Sequence, residues 1–189
     1  MPLLPALPAR RWVLRVRLRF DRVPAKPPFE QLYREFVDRI YAFLRTQLGS
    51  PEDAEDVTSG VFLRAYEAYA RYEPRAATPA AWLFQIARNA ARDHRRGTFR
   101  RERLQSAAAR ALAPPEDPSE LATERLANRE LIAALGRLAE RQREVISLRH
   151  AGLSFAELGH LLGCSEDAAK MSYHRALKVL RGLMVRQAQ

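Results

Sequence analysis

The stretch Leu153–Leu177, LSFAELGHLLGCSEDAAKMSYHRAL, contains two helix starts separated by a tight turn. Ser154 and Glu157 have the spacing of a capping box in the first turn of a short helix. Gly163 permits the positive φ of a sharp turn, and Ser165 then provides the N-cap of a longer, basic helix. Two helices joined by a tight glycine turn predict a helix-turn-helix, whose second helix fits the major groove of DNA.

The second helix of this motif carries basic and polar side chains at helical spacings. Lys170, His174 and Arg175 can share one face with Met171, and early side chains of such a helix reach base edges. Lys178 lies farther along, where phosphates are the expected partners. The candidate DNA-binding residues of this helix are Lys170, Met171, Ser172, His174, Arg175 and Lys178. The alternative interpretation is an ordinary helical hairpin with a solvated charged face.

Composition and charge restrict the classes of function. The chain has 189 residues and a formal net charge of +10, which favours a polyanionic partner. The charge is uneven: +6 over residues 1–28, −3 over 29–87 and +5 over 88–103. The single cysteine, Cys164, excludes an intrachain disulfide and fits a reducing, cytoplasmic compartment. No apolar run approaches the ~20 residues that a membrane-spanning helix needs, so no membrane association is expected.

The hydrophobic pattern predicts an all-α protein of two small helical domains joined by a flexible linker. Residues 1–28 are proline-rich and basic and predict a mobile arm. Helical periodicity then fills 29–103, and a second helical domain occupies 128–186 and ends with the helix-turn-helix. The segment 104–127 includes APPEDPS and is predicted to be the linker.

A second basic surface is predicted on the helix that begins near Thr78 and Pro79. Its arginines recur at i, i+4, i+7 and i+8, and nearby aromatic residues fit the way single-stranded nucleic acid is held. Trp82 by itself is interpreted as a packing residue. The candidates for contact with DNA here are Arg88, Asn89, Arg92, Arg95 and Arg96. The alternative is again a solvated charged face.

Metal and catalytic interpretations have little support in the sequence. His160 and Cys164 are spaced i, i+4, but a structural zinc site needs four ligands, and only His150 and His174 are nearby. No glycine-rich phosphate loop and no pairing of a nucleophile with a base is present. We therefore expect no metal, no cofactor and no enzyme activity, and a nucleic-acid enzyme is disfavoured.

Three segments in this order resemble the extracytoplasmic-function type of bacterial sigma factor. PEDAEDVTSGVFLRAYEAY, Pro51–Tyr69, resembles the family's segment that docks on RNA polymerase core. AAWLFQIARNAARDHRR, Ala80–Arg96, resembles the segment that melts and reads the minus-ten promoter element. Leu138–Met184 resembles the C-terminal domain that reads the minus-thirty-five element. The resemblance covers roughly Phe29 to Met184.

The resemblance implies roles for particular residues. Polymerase docking falls to Asp53, Asp56, Val57, Phe62 and Arg64, and strand separation to Arg88, Asn89 and Arg92. The chain departs from the family's usual pattern at Ser59, Gly60, Gly159, Asp167, Ala168 and Ser172. Because Asp167, Ala168 and Ser172 lie in the recognition helix, the upstream DNA sequence that it reads cannot be inferred.

The expected function is that of a promoter-specificity subunit without catalysis of its own, with RNA polymerase core and promoter DNA as partners. The resemblance also suggests an anti-sigma protein, although no residue identifies one. The alternative is a free-standing helix-turn-helix repressor or activator, with residues 29–103 as a sensor or dimerisation domain. A repressor binds duplex DNA alone, usually as a symmetric dimer, whereas a sigma factor needs the core enzyme.

Overall fold

The protein is described by a computed structural model over residues 26–74, 77–105 and 130–187. These ranges contain only helices as regular secondary structure, which confirms the predicted all-α class. In the same ranges, no helix combines the length and apolar character that crossing a bilayer requires. The helices are α1 Phe29–Leu48, α2 Pro51–Tyr69, α3 Pro79–Gln105, α4 over 130–136, α5 Glu140–His150, α6 Phe155–Leu162 and α7 Glu166–Gln187.

The first domain is a bundle of α1, α2 and α3 around an apolar core. Its fully buried side chains include Leu32, Phe36, Ile40, Leu44, Val61, Leu83 and Phe84. The rings of Phe43 and Phe84 meet edge to face with centroids 5.6 Å apart, which joins α1 to α3. Side chains cap the starts of α2 and α3, since the hydroxyl of Ser50 accepts from the Asp53 amide and that of Thr78 from the Ala81 amide, each at 3.2 Å.

An aromatic stack holds the connection between α2 and α3. Tyr72 stacks on Trp82 with ring centroids 4.5 Å apart, which confirms that Trp82 is a packing residue. The Tyr72 hydroxyl donates to the carbonyl of Ala77 at 2.9 Å. Burial, with a smaller contribution from Tyr69, raises the pKa of Tyr72 to about 12, so this phenol stays protonated as a donor at neutral pH.

The predicted arm and linker lie mostly outside the described residues. The arm's described residues, 26–28, pack against the end of α2. Lys26 Nζ donates to the Ala70 carbonyl at 3.1 Å and lies 4.5 Å from the centre of the Tyr69 ring. Residues 26–28 therefore contact the first domain, although they precede the predicted boundary at Phe29. At the other end, α3 extends to Gln105, slightly past the predicted end at residue 103.

The second domain contains the predicted helix-turn-helix, formed by α6 and α7. The hydroxyl of Ser154 accepts from the Glu157 amide at 3.2 Å, and the Glu157 carboxylate accepts from the Ser154 amide at 2.7 Å. Gly163 ends α6 with φ 67°, and the Ser165 hydroxyl accepts from the Ala168 amide at 3.2 Å. Each of these local features was predicted from the sequence and is confirmed.

Gly159 allows α6 to approach the start of α7 closely. A Cβ atom built at this position would lie 2.7 Å from the carbonyl oxygen of Cys164 and 3.2 Å from the amide nitrogen of Glu166. Both neighbours are backbone atoms, so a side chain here requires the turn itself to shift. At Gly60, in the middle of α2, the equivalent Cβ position has no atom within 4 Å apart from its chain neighbours and the adjacent backbone of its own helix.

These two glycines predict opposite responses to the same substitution. Gly159→Ala should lower the free energy of unfolding by about 1–3 kcal/mol, because it overpacks a tight turn. Gly60→Ala should raise it by about 0.5–1 kcal/mol, because alanine restricts the unfolded chain and favours the helix. Urea unfolding followed by circular dichroism measures both. Midpoints that move in the same direction would contradict the proposed close approach at Gly159.

Candidate nucleic-acid interface

The recognition helix α7 turns most of its predicted DNA-binding side chains towards solvent. Lys170, Met171, His174, Arg175 and Lys178 are exposed, and Ser172 is half-buried. The opposite side of α7 is anchored in the domain by Ala169, Ala176, Leu180 and Leu183. Because packing fixes the buried side, the basic side of α7 is held outward as one surface.

Met171 stands out on this basic surface as an apolar side chain that is 54% exposed. An apolar side chain on a helix in the major groove can contact the thymine methyl group. The neighbouring Tyr173 is half-buried and meets the Phe155 ring edge to face at 5.7 Å, which fixes α7 against α6. Met171 is therefore suited to contact DNA, whereas Tyr173 stabilises the domain.

The acids at the start of α7 modify this surface. Glu166 and Asp167 are exposed in the first turn, where they favour the helix because they complement its dipole. The same negative charge opposes the approach of phosphate groups to this end of the helix. Phosphate contacts are therefore expected farther along α7, near Arg175 and Lys178.

The second predicted surface, on α3, is only partly exposed. Asn89 and Arg96 face solvent, while Arg92 is half-buried. The side-chain amide of Gln85 donates to the Asn89 oxygen at 3.1 Å, which orients Asn89 and leaves its own NH₂ group available. Gln85 was not singled out in the sequence, although its i, i+4 spacing from Asn89 is the signal that identifies this pair.

Arg88 is buried between the two domains, with 8% exposure. Its guanidinium donates through Nε to the carboxylate of Glu144 on α5, and a second nitrogen donates to the carbonyl of Leu161 at the end of α6. The prediction of one exposed basic stripe is wrong at Arg88, because α5 and α6 cover that part of α3. Arg95 is also engaged, since it forms an ion pair with Glu140 at 2.6 Å.

Further polar contacts join the two domains. Arg39 Nε on α1 donates to the carbonyl of Ala151 at 2.7 Å, and the hydroxyls of Thr46 and Ser147 are 2.7 Å apart. The hydroxyl of Thr78 donates to the carboxylate of Glu157. Sequence reasoning missed Arg39 and Glu144, because a pairing between residues this distant in the chain leaves no periodic signal.

The predicted docking residues on α2 differ in accessibility. Asp56 and Arg64 are exposed and Val57 is half-buried. Asp53 is partly accessible, and its carboxylate lies 3.4 Å from Nε2 of His94 on α3. The outward side of α2 also carries two apolar residues that sequence reasoning did not select, Leu63 at 57% exposure and Tyr66 at 65%.

Phe62 is the docking candidate that the structure places in the core. It is 4% exposed, and its ring meets that of Tyr33 edge to face at 4.9 Å. The register of α2 turns Phe62 inward and Leu63 outward. Direct contact of Phe62 with a partner is therefore excluded in this conformation.

The residues weighed as zinc ligands are not assembled into a site. Among the residues that the structure describes, no group of three or more His, Cys, Asp or Glu side chains is placed to hold a metal ion. Cys164 is a free, half-buried thiol in the turn between α6 and α7.

Comparisons with known proteins match both domains. The Sigma-70 region 2 family matches residues 32–101, and the Sigma-70 region 4 family matches residues 128–180. The chain is 34% identical over 158 residues to the ECF RNA polymerase sigma factor BldN of Streptomyces coelicolor. The matched region covers 82% of this chain and 60% of BldN. It is 34% identical over 164 residues to the RNA polymerase sigma factor CarQ of Myxococcus xanthus, covering 85% of this chain and 91% of CarQ.

The fold is also similar to a solved structure. The sigma factor RpoE of Bartonella quintana, crystallised with the anti-sigma factor NepR, superposes with a TM-score of 0.67 at 24% identity, covering 82% of this chain and 96% of RpoE. This likeness concerns the fold. The chain spans about 60% of the length of BldN.

The exposed side of α7 predicts two classes of mutational effect on DNA binding. Lys170→Ala, His174→Ala and Arg175→Ala should each cost about 1–3 kcal/mol on duplexes selected from a randomised pool, and much less on scrambled ones. Lys178→Ala should weaken both about equally, since phosphates carry no sequence information. Fluorescence anisotropy titrations with RNA polymerase core present measure these affinities.

Arg34→Ala is the matched control, because Arg34 is an exposed arginine on α1, away from α7. Its loss should leave the discrimination between selected and scrambled duplexes unchanged. If Lys170→Ala and Arg175→Ala also leave that discrimination unchanged, α7 is an ordinary charged helix.

Proposed function

Because the chain belongs to the extracytoplasmic-function family of RNA polymerase sigma factors, we propose that it binds RNA polymerase core and directs promoter recognition and DNA melting. The observation that carries the proposal is the presence of two separate helices with exposed basic or amide side chains, α3 and α7, each in a domain that matches one sigma region. The proposal gives the chain no catalytic role, because the polymerase performs the chemistry. The chain would act in the cytoplasm, where polymerase and promoter DNA meet.

The two helices are suited to two forms of DNA. The outward side of α7 offers Lys170, His174 and Arg175 together, which fits base edges and phosphates of a duplex upstream element. On α3, Asn89 and Arg96 are exposed beside the half-buried Arg92. An oriented amide flanked by cations fits unpaired bases and the backbone of a separated strand at the minus-ten element.

The outward side of α2 supports polymerase docking. Its first two turns expose Glu52, Glu55 and Asp56, and the next turns expose Leu63 and Tyr66. Exposed apolar side chains next to an acidic cluster suit a partner surface that is basic at one end and apolar at the other. The buried Phe62 supports this surface from beneath.

An anti-sigma protein is proposed as a further partner. CnrH, which is 28% identical with a TM-score of 0.62, is solved in complex with the cytosolic domain of CnrY. This complex supports the proposal by similarity of the chains.

Run-off transcription with purified core polymerase tests the function. A sigma factor should start transcription at defined sites only when chain and core are both present, and α7 variants such as Arg175→Ala should lower the yield from promoters that need the upstream element. A free-standing helix-turn-helix regulator would instead bind a two-fold duplex site tightly without core. Tight binding of the chain to duplex DNA, without core-dependent initiation, would show that the chain is a free-standing regulator and not a sigma factor.

Charge reversal on α2 tests the docking surface. The double variant Glu55→Lys and Asp56→Lys should weaken core binding at least several-fold, because it turns an exposed acidic cluster basic without touching the core of the domain. Asp53 is left intact, since it contacts His94 within the domain. Pull-down titration against core measures the affinity.

A double variant on α1 is the control for this reversal. Glu30→Lys and Asp38→Lys, both at exposed positions, together change the net charge by the same amount as the double variant on α2. This pair should bind core like the unmutated chain. Equal affinities for the α1 and α2 double variants would remove the docking assignment from α2.

A further inference from the structure

A carboxylate lies in the middle of the side of α7 that faces away from the protein core. Asp167 is exposed, and the fully buried Ala176 follows it about two and a half turns later, on the opposite side of the helix. Met171 follows Asp167 by one turn and is 54% exposed on the same side. Asp167 and Met171 therefore form a line along the middle of the outward side of α7.

Basic side chains border this line on both sides. Lys170 and His174 lie to one side of it and Arg175 to the other, and all three are exposed. Among the residues that the structure describes, the Asp167 carboxylate accepts no hydrogen bond and forms no ion pair, although Lys170 is only three positions away. The negative charge of Asp167 is therefore available at the centre of a basic surface.

The local structure of the helix does not account for this carboxylate. The N-cap of α7 is Ser165, whose hydroxyl accepts from the Ala168 amide at 3.2 Å. Glu166 already supplies an acid that complements the helix dipole in the same turn. Asp167 thus places a second negative charge where a DNA-binding surface would meet phosphates, which is unfavourable unless the carboxylate has a donor on the DNA.

The base edges in the major groove differ in what they offer to a carboxylate, which can only accept hydrogen bonds. Guanine presents two acceptors, and thymine presents an acceptor and a methyl group. Adenine presents an amino donor, but its N7 acceptor lies beside it. Cytosine presents its N4 amino donor alone. A carboxylate at the centre of the surface therefore favours cytosine over the other three bases.

The side chain of Met171 suits a different base. It is apolar, and the thymine methyl group is the apolar feature of the major groove. The helix rises about 6 Å over the four residues from Asp167 to Met171, and successive base pairs are about 3.4 Å apart. The two contacted bases are therefore separated by one or two base-pair steps.

We propose that Asp167 and Met171 set the base preference of α7. Asp167 accepts from the N4 amino group of a cytosine in duplex DNA, and Met171 contacts the methyl group of a thymine one or two base pairs away. The inference rests on the proposed function and names part of the upstream sequence that the same surface selects. Lys170, His174 and Arg175 keep the contacts described above.

The carboxylate has opposite effects on affinity and on specificity. Its negative charge opposes phosphates of every sequence, so its removal should raise binding to unrelated duplexes. The same removal loses the contact with cytosine and should lower the preference for the selected duplex. A carboxylate that served only the helix dipole or solubility would show the first effect without the second.

Selection from a randomised duplex pool by the chain bound to core polymerase, followed by sequencing, tests the role of Asp167. The unmutated chain should enrich cytosine at one position by at least about fivefold over each other base, with thymine one or two base pairs away. Asp167→Asn should change that cytosine to adenine, because an amide donates to N7 and accepts from N6 of adenine. Asp167→Ala should leave the position without a preference.

A duplex in which deoxyuridine replaces the selected thymine tests the role of Met171. Deoxyuridine lacks the methyl group and keeps the O4 acceptor. The unmutated chain with core should bind this duplex about fourfold more weakly than the thymine duplex, the effect of one buried methyl group. Met171→Ala should bind the two duplexes equally.

Glu166→Gln is the matched control for Asp167→Asn. It removes the same charge from the same turn of α7, but Glu166 points about 100° away from Asp167. It should raise binding to unrelated duplexes about as much as Asp167→Asn does, and it should leave the selected sequence unchanged. Circular dichroism should show the same helix content in all the variants, since each substituted position is exposed.

The outcomes separate the inference from the proposed function. The same selected sequence for Asp167→Asn, Glu166→Gln and the unmutated chain would overturn the role of Asp167. Equal binding of the thymine and deoxyuridine duplexes by the unmutated chain would overturn the role of Met171. If run-off transcription fails while Asp167→Asn still changes cytosine to adenine in the selected pool, the proposed function is wrong and the base preference of α7 remains.

Discussion

The buried ion pair between Arg88 and Glu144 is the constraint on which the arrangement of the two domains depends. Removing one partner of such a pair leaves an uncompensated buried charge and costs about 3–5 kcal/mol, whereas replacing both by apolar residues is often neutral. The pair therefore contributes less to net stability than to the choice of arrangement. Any geometry that separates α3 from α5 must provide Arg88 with another anion or with water.

This dependence explains why the other interdomain contacts are placed where they are. Arg39 packs on the Phe36 ring and Glu157 caps α6 within their own domains, so both present polar groups at fixed positions, while Arg88 is buried at the contact. Each then meets a polar group of the other domain: Ala151, Glu144 or Thr78. Burial lowers the pKa of Arg39, which is the expected effect of removing a guanidinium from water, and its bonds to the Ala151 carbonyl offset part of that desolvation.

Local features of the fold were predictable from the sequence because they depend on neighbours in the chain. Ser50, Thr78, Ser154 and Ser165 cap helices as their spacing indicates, and the apolar stripe of α1 is buried as its period indicates. Prediction failed where the deciding partner is distant. A basic position on a helix looks the same in the sequence whether it faces solvent or another domain, and Arg88 illustrates this. Phe62 and Leu63 show the same limit, since one residue of register separates a core side chain from a surface one.

Arg88 and Asn89 are neighbours on α3, but the second domain covers only Arg88 and leaves Asn89 exposed. Successive residues of a helix point about 100° apart, so one of the two can face the second domain while the other faces solvent. Asn89 and Arg96 remain exposed when the domains are in contact, and a DNA strand can meet them first. Arg88 is bonded to Glu144 instead, so the part of α3 that a strand can reach in this arrangement consists of Asn89, Arg96 and the half-buried Arg92.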